Sequence, residues 1–311
     1  ENTTDSDGHV ENRASRDELL AYFKKVLLSM TDSGRVRFFP KCIASSDGTT
    51  LTHSLNSKKV WHVHAERKVV FSFGKSPVPA RPLKAARAFQ VSDNVHIVTP
   101  NDLPDVGGHD NYVVLGGGQA GVDTVLWLLH NGVDAGCIGW VVREHEWLVN
   151  RGHLEPDTLP ATMTHVYEAM TSAKCRTVQG VMLNIEKFQG LLCRLDPTQL
   201  PTAYFGSSVT TAELNELRQV RIRTGGKLTA VLEDSVQMID GNVATNSGTL
   251  HIDCTGYEPK LALTTPVFAS ARRIELQSLG ELHMSVLHPT ASAGMVGHLE
   301  AVAPEDWEHH N

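Results

Sequence analysis

A glycine-rich segment is the part of this 311-residue chain whose residue types point most directly to chemistry. The apolar run 112–115 leads into Gly116-Gly117-Gly118-Gln119-Ala120-Gly121, which fits the pattern Gly-x-Gly-x-x-Gly. In such a turn the first glycine permits a tight reversal, the second lets the backbone approach a pyrophosphate and the third lets the next helix lie close to the strand. The N-terminus of that helix then faces the phosphates. The segment therefore predicts a dinucleotide-binding turn.

The residues that follow complete a β-α-β unit around this turn. Residues 122–130 carry apolar side chains at helical spacing, and residues 137–142 form a second apolar strand. Arg143 stands at the end of that strand, where an acidic residue would hold the ribose hydroxyl of NAD. Because a guanidinium matches phosphate oxygens, Arg143 favours NADP, while Glu144 beside it keeps NAD open.

Composition and charge exclude several other classes of protein. The net charge of −7 and the lack of a basic run argue against nucleic acid or an anionic membrane as the main partner. The sequence has neither an apolar stretch near 18 residues nor a leader signal, which predicts a cytoplasmic protein without a membrane segment. Five scattered cysteines indicate reduced thiols, and no residue spacing predicts a metal site. The chain begins with Glu1, which leaves open whether residues upstream are missing.

Helices and short strands are expected on both sides of the β-α-β unit. Capping boxes at Ser15 and Thr210 predict helix starts, the first opening an amphipathic helix over residues 16–30. Proline spacing at 76–82 predicts a linker. The remaining predicted elements are a strand over 35–39, an antiparallel meander over 42–73, helices over 163–176 and 180–194, and strands over 228–232, 236–239 and 250–254.

Two segments resemble a known group of proteins. Asp253-Cys254-Thr255-Gly256-Tyr257-Glu258-Pro259 resembles a strand end of flavin-dependent monooxygenases, and residues 69–77 resemble the Ala-Thr-Gly strand that closes their FAD domain. The chain is thus similar to the FAD/NAD(P)-binding flavoprotein oxidoreductases over most of residues 15–300. This resemblance implies a Rossmann-like α/β architecture with the NADP domain inserted in an incomplete FAD domain. The implied divisions are 1–105 (partial FAD-type domain with meander and linker), 106–257 (NAD(P)-binding domain) and 258–311 (return to the FAD-type domain).

The resemblance also implies a reaction and a set of cofactor contacts. The reaction is hydride transfer from NADPH to FAD in a monooxygenase-like oxidoreductase that acts on a small molecule. Arg143 would bind the 2′-phosphate and the segment 255–257 would form the passage between domains, whereas no catalytic side chain is indicated. The sequence leaves open whether the chain forms a homo-oligomer. The full set of implied cofactor contacts is Gly116, Gly118, Gln119, Ala120, Gly121, Arg143, Thr255, Gly256 and Tyr257.

The sequence departs from that family in three places. No Gly-x-Gly-x-x-Gly precedes residue 15, Phe73 replaces a usual threonine, and residues 293–300 lack the usual Gly-Asp. The chain is then either a fragment of a longer flavoprotein or a flavoprotein that has lost much of its ability to hold FAD. Two alternatives to the flavoprotein oxidoreductase follow: an NADP(H)-binding protein without flavin chemistry, and an inactive remnant that binds a partner.

Overall fold

A computed structural model describes residues 14–72, 87–155, 157–172, 176–255, 266–276 and 288–305. The helices are α1 (Arg16–Asp32), α2 (Gln119–His130), α3 (Leu159–Thr171), α4 (Val178–Gln189), α5 (Thr211–Leu217) and α6 (His288–Val302). The strands are β1 (Cys42–Ala44), β2 (Thr50–His53), β3 (Asn56–His62), β4 (Val69–Phe71), β5 (Gln90–Val91), β6 (Ile97–Val98), β7 (Asn111–Leu115), β8 (Ile138–Val142), β9 (Glu146–Asn150), β10 (Leu192–Arg194), β11 (Ala203–Val209), β12 (Arg221–Thr224), β13 (Leu228–Val231), β14 (Ser235–Met238), β15 (Gly241–Ala244), β16 (Thr249–Asp253), β17 (Phe268–Ser270) and β18 (Arg273–Glu275).

A five-stranded parallel sheet forms the centre of the described chain. Its order is β12-β8-β7-β16-β6, and every neighbouring pair is parallel. The chain moves from β7 outward to β8 and β12, then returns to the other side of β7 as β16. The strand order therefore reverses between β7 and β16, which is the arrangement of a doubly wound, Rossmann-like α/β fold.

The two faces of this sheet are covered by different elements. Because side chains alternate along a strand, Val114 of β7 packs with Leu128 of α2 and Leu217 of α5. Leu115 points to the other face and packs with Val231 and neighbouring side chains of β13 and β14. Both faces of the sheet are thus buried, as expected for parallel strands.

Helix α2 confirms the predicted helix after the glycines, and it begins three residues earlier than the apolar spacing indicated. Its buried side chains include Val122, Val125 and Leu128. Trp127, whose place in this apolar helix favours a core position, is 37% exposed. It falls on the outer stripe of the helix with Asp123 and the exposed His130, so that expectation is wrong.

A second sheet, of order β10-β9-β11, follows the β-α-β unit. Trp147 and Val149 of β9 pack with Val166 of α3 and Ile185 of α4. The predicted helix over 180–194 is wrong at its end, since Gly190 adopts φ +68° and ends α4. Residues 192–194 instead form β10, antiparallel to β9.

The N-terminal elements pack less tightly than the central sheet. The capping box at Ser15 is confirmed, yet none of the described residues of α1 is buried. The strand predicted over 35–39 is absent, and Phe39 instead packs its ring against Trp61 at 5.5 Å. The meander is confirmed for β1, β2 and β3, which form an antiparallel sheet.

Strand β4 joins the C-terminal part of the chain rather than that meander. It pairs in parallel with β18, which pairs with β17. Lys68 forms an ion pair with Glu300 of α6, and the Arg272 guanidinium donates to the Ala65 carbonyl at 2.8 Å. Residues 266–276 and α6 therefore lie against residues 65–71. The domain boundaries at 105 and 257 stay a prediction.

Within the described ranges, no helix combines the length and the apolar character needed to cross a bilayer. The same part of the chain holds no group of three or more His, Cys, Asp or Glu side chains arranged to bind a metal ion.

Candidate functional site

The glycine-rich turn begins where β7 ends, at the carboxyl edge of the central sheet. Gly116 has φ +118°, a conformation that L side chains rarely adopt. Its amide donates to the Val141 carbonyl of β8 at 2.8 Å, and its own carbonyl accepts from the Trp140 indole nitrogen at 2.8 Å. The first glycine is therefore fixed from both sides by the neighbouring strand.

The three glycines of the motif have different surroundings. A Cβ on Gly121 would stand 2.1 Å from the Gly116 carbonyl oxygen, and one on Gly116 would stand 3.0 Å from the Cys254 carbonyl. Both positions allow close approach of two backbones. Among the described residues, nothing lies within 4 Å of where a Cβ on Gly118 would stand. Open space beside the second glycine is what the approach of a pyrophosphate requires, so the turn fits the group that the motif predicts.

Helix α2 starts directly after Gly118 and directs its N-terminus toward that space. The Gly118 carbonyl accepts from the amides of Gly121 and Val122. The first amides of a helix have no intrahelical acceptor, so this end carries a partial positive charge. The backbone of Gln119 and Ala120 supplies those first amides.

The side chain of Gln119 has a structural role of its own. Its Oε1 accepts from the Ser208 amide at 2.7 Å, and its Nε2 donates to the Ser208 carbonyl at 3.2 Å and to Asp123 at 2.9 Å. These bonds tie the start of α2 to β11. The side chain of Gln119 is thus engaged with protein groups, which leaves its backbone for the predicted contact.

Arg143 lies at the carboxyl end of β8, beside the end of β7, as the sequence predicted. Its side chain is 65% exposed and its Nε lies 3.5 Å from Glu144 Oε1. The other oxygen of Glu144 accepts from the Thr202 hydroxyl at 2.6 Å. Of the two residues at this strand end, Arg143 is therefore more available than Glu144 to contact a ligand.

Lys227 is a second cation near Arg143 that the sequence analysis did not identify. The Gly226 amide donates to the Arg143 carbonyl at 3.0 Å, and Lys227 follows with an exposed side chain. Lys227 and Arg87 also line an open cavity of about 990 Å³ at the sheet that contains β5, β13 and β14. Only its position along the chain could have indicated it, since β12 lies parallel to β8 in the central sheet and the residues after both strands share the carboxyl edge.

Thr255 follows β16, on the other side of β7 from Arg143. Its amide donates to Asp253 Oδ1 at 3.1 Å, and its hydroxyl donates to the same oxygen. Asp253 also pairs with Arg87 at 3.1 Å, and both side chains are buried. Asp253 therefore orients the strand end. The other two residues predicted for this passage, Gly256 and Tyr257, lie outside the described residues.

Glu146 is a further group behind the turn that sequence reasoning missed. Its residue is 9% exposed, and its Oε1 lies 4.0 Å from where a Cβ on Gly117 would stand. Neither carboxyl oxygen has a hydrogen bond of normal geometry among the described residues. Burial raises the pKa of Glu146 to about 7, and the nearby Ser207 hydroxyl opposes that shift. No sequence signal marks it, because its burial depends on how β9 meets the turn.

Cys254 lies in the core against α2, as the sequence indicated. Its thiol is 3.3 Å from the Thr124 hydroxyl, and burial raises the pKa of Cys254 to about 12. Such a thiol stays protonated at neutral pH and is unreactive. Cys137, expected inside a strand, lies instead in a half-buried 3-10 turn before β8.

The strand order and the turn together define the class of this domain as Rossmann-like α/β. A glycine-rich turn at the end of β7, a cationic residue at the end of β8 and Thr255 at the end of β16 meet at one edge of a parallel sheet. This edge, where the strand order reverses, is where open α/β sheets bind ligands.

The relatives found for this chain are themselves without a described activity. No protein-family model matches it. Uncharacterized proteins of Mycobacterium tuberculosis and Mycobacterium bovis are 30% identical over 295 residues, an alignment that covers 93% of this chain and 52% of each relative. The chain therefore spans about half the length of the curated relatives it matches.

Three solved structures are similar at low identity. A bacillithiol disulfide reductase of Bacillus cereus is 14% identical, with 83% of this chain and 64% of that one covered and a TM-score of 0.36. The OTEMO complex with FAD and NADP is 11% identical, with 95% and 75% covered and a TM-score of 0.48. An L-lysine 6-monooxygenase of Pseudomonas syringae is 12% identical, with 96% and 83% covered and a TM-score of 0.42.

Proposed function

We propose that this chain binds NADP(H) at the carboxyl edge of its central sheet, with the pyrophosphate beside Gly118. One observation carries the proposal: the glycine-rich turn stands where the strand order reverses, its second glycine has open space around it within the described part of the chain, and a helix N-terminus lies behind it. The close contacts at Gly116 and Gly121 fix the turn in that position. Glycines at these positions cost conformational entropy on folding, which argues against a turn that only packs a helix.

The two cations after β8 and β12 supply the preference for NADP over NAD. Arg143 and Lys227 lie on the β8 side of the turn, where the adenosine end of a dinucleotide would lie. The guanidinium would bind the 2′-phosphate, and Lys227 would add a second positive charge. The other end of the nucleotide would then extend across β7 toward Thr255.

We further propose that the chain belongs to an NADPH-dependent flavoprotein oxidoreductase of the monooxygenase-like kind. The support is the resemblance of residues 69–77 and 253–259 to the two FAD-domain crossings of those proteins. When bound, NADPH supplies a hydride and FAD accepts it. The sequence has one glycine-rich turn, which favours as second candidate an NADP(H)-binding protein without flavin chemistry.

The nucleotide part of this proposal is tested by calorimetric titration of the full chain with NADPH and with NADH. We expect Arg143→Ala to weaken NADPH binding by about tenfold to a hundredfold, since a charge-assisted bond is lost, and to leave NADH binding unchanged. The matched control is Arg221→Ala, because Arg221 is an exposed arginine at the opposite end of β12. Equal losses for both nucleotides, or for both variants, would contradict a 2′-phosphate contact at Arg143.

The flavin part is tested by the visible absorption spectrum of the purified chain, with and without added FAD and then with NADPH. A flavin spectrum that bleaches on addition of NADPH is the expected result for an oxidoreductase. NADPH binding without any retained flavin would favour the second candidate function. Binding of neither cofactor would favour an inactive remnant.

A further inference from the structure

Glu146 is the group near the turn for which the proposed nucleotide site gives no role. It is the first residue of β9, and among the described residues no hydrogen bond of normal geometry reaches either of its carboxyl oxygens. Its Oε1 lies 4.0 Å from the Cβ position of Gly117, and a Cβ there would also meet Val142 at 3.3 Å. A buried carboxyl, with only the Ser207 hydroxyl near it among the described polar side chains, therefore lies beside Gly117 of the turn.

The elements around Glu146 bring it no countercharge within the described ranges. The neighbours of Glu146 are Gly117 of the turn, Val142 of β8, and Ala203 and the Ser207 hydroxyl of β11. On its own segment it is preceded by His145. The charged groups of nearby elements are engaged with other partners: Arg143 with Glu144, Asp123 with Gln119, Arg151 with Glu213, and Arg194 with Glu186.

We propose that the charge state of Glu146 sets the affinity of the turn for its dinucleotide, which binds tightly when this carboxyl is neutral and weakly when it is ionised. The inference rests on the proposed NADP(H) site. A pyrophosphate is an anion, and a carboxylate behind the turn would repel it in a region with little water to screen the charge. The same carboxylate would also attract the turn's amides away from the ligand.

The pH range of this effect follows from the burial of Glu146. Burial raises the pKa of the carboxyl to about 7, so its charge changes within the physiological range. If only the neutral form binds, the apparent Kd is the intrinsic value divided by the neutral fraction, which gives about a tenfold weakening between about pH 6 and about pH 8. By reciprocal linkage, binding near pH 7.5 takes up a proton, roughly one per nucleotide at most.

The experiment is a calorimetric titration with NADPH at about pH 6, 7 and 8 for the wild-type chain, Glu146→Gln and Glu155→Gln. Glu146→Gln keeps the shape of the side chain and fixes it neutral. Glu155→Gln is the matched control, because it removes one carboxylate from an exposed position. The nucleotide's own phosphate titration affects all three proteins equally, so it cancels in the ratio of their affinities. Repeating each titration in buffers of different ionisation enthalpy measures proton uptake.

We expect the wild-type and Glu155→Gln chains to lose affinity relative to Glu146→Gln by about tenfold as the pH rises across this range, and to take up more protons on binding than Glu146→Gln does. A constant ratio of affinities, or tighter wild-type binding at high pH, overturns the inference and leaves the proposed function intact. No NADPH binding by any of the three proteins at any pH overturns the proposed function and the inference with it.

Discussion

Glu146 and Glu213 are glutamates of nearly equal burial, 9% and 8% exposed, and their surroundings are opposite. Glu213 lies 2.5 Å from the Arg151 guanidinium and accepts from the Thr210 amide at 2.9 Å. Glu146 has neither a cation nor a hydrogen bond of normal geometry in the described part of the chain. Two glutamates of nearly equal burial therefore differ in their partners: Glu213 has a cation and a backbone donor, whereas Glu146 has only the nearby Ser207 hydroxyl among the described residues.

The largest effect is expected when the partnered carboxyl is removed. Glu213→Gln removes the carboxylate that pairs with the mostly buried Arg151, which should lower the free energy of unfolding by about 3–5 kcal/mol. Urea unfolding followed by circular dichroism measures this. The control is Glu216→Gln on the same helix, whose exposed pair with His130 contributes under about 1 kcal/mol. Equal losses of stability in the two variants would mean that the buried pair stabilises the fold no more than the exposed pair does.

Replacing Glu146 should change the free energy of unfolding in the opposite direction. Burial raises the pKa of Glu146 from its ordinary value of 4.5 to about 7, so folding favours its protonated form. Stability from this group is greatest below pH 4.5 and falls as the pH rises to 7. Glu146→Gln should therefore raise the free energy of unfolding by up to about 3 kcal/mol at about pH 8, and by progressively less as the pH is lowered.

Urea unfolding of Glu146→Gln at several pH values checks this sign. A gain that does not depend on pH would come from packing rather than from charge. A loss of stability at about pH 8 would mean that the carboxylate has a partner in solution.

The smallest expected change in the free energy of unfolding comes from removing the two helix caps, and the two caps should differ. Thr210 caps α5 next to the Arg151 pair and is buried, whereas Ser15 caps the exposed helix α1. Thr210→Ala should lower the global free energy of unfolding by about 1–2 kcal/mol. Ser15→Ala should leave the global transition unchanged and raise amide exchange within α1. A global loss from Ser15→Ala would show that α1 is packed against something in solution.

Local rules predicted the parts of the fold that depend on short segments. The glycine-rich turn, helix α2 and both capping boxes were predicted correctly, because each is specified by a few adjacent residues. The position of Arg143 at a strand end followed from the same β-α-β pattern. Whether Arg143, Thr255 and the glycines bind a cofactor stays a prediction.

Features that depend on tertiary packing were not predicted. Residues 192–194 continue an apolar pattern but form a strand, because Gly190 ends α4 and β9 provides a partner. Residues 35–39 alternate like a strand but pair with no strand of the described residues. Nothing in the sequence distinguishes Glu146 from other charged residues, because its burial depends on the approach of β9 to the turn.

The hydrogen bond from Trp140 to the Gly116 carbonyl also provides a spectroscopic probe. Trp140 is 1% exposed, and its indole nitrogen lies 2.8 Å from the backbone of the first glycine. Indole emission depends on the polarity and the hydrogen bonding around the ring, so a shift of the turn changes the colour of the light that this residue emits. The chain thus carries an intrinsic fluorophore at the point where it is proposed to bind. Because the chain has five tryptophans, the Trp140 signal is obtained as the difference between the wild-type chain and Trp140→Phe.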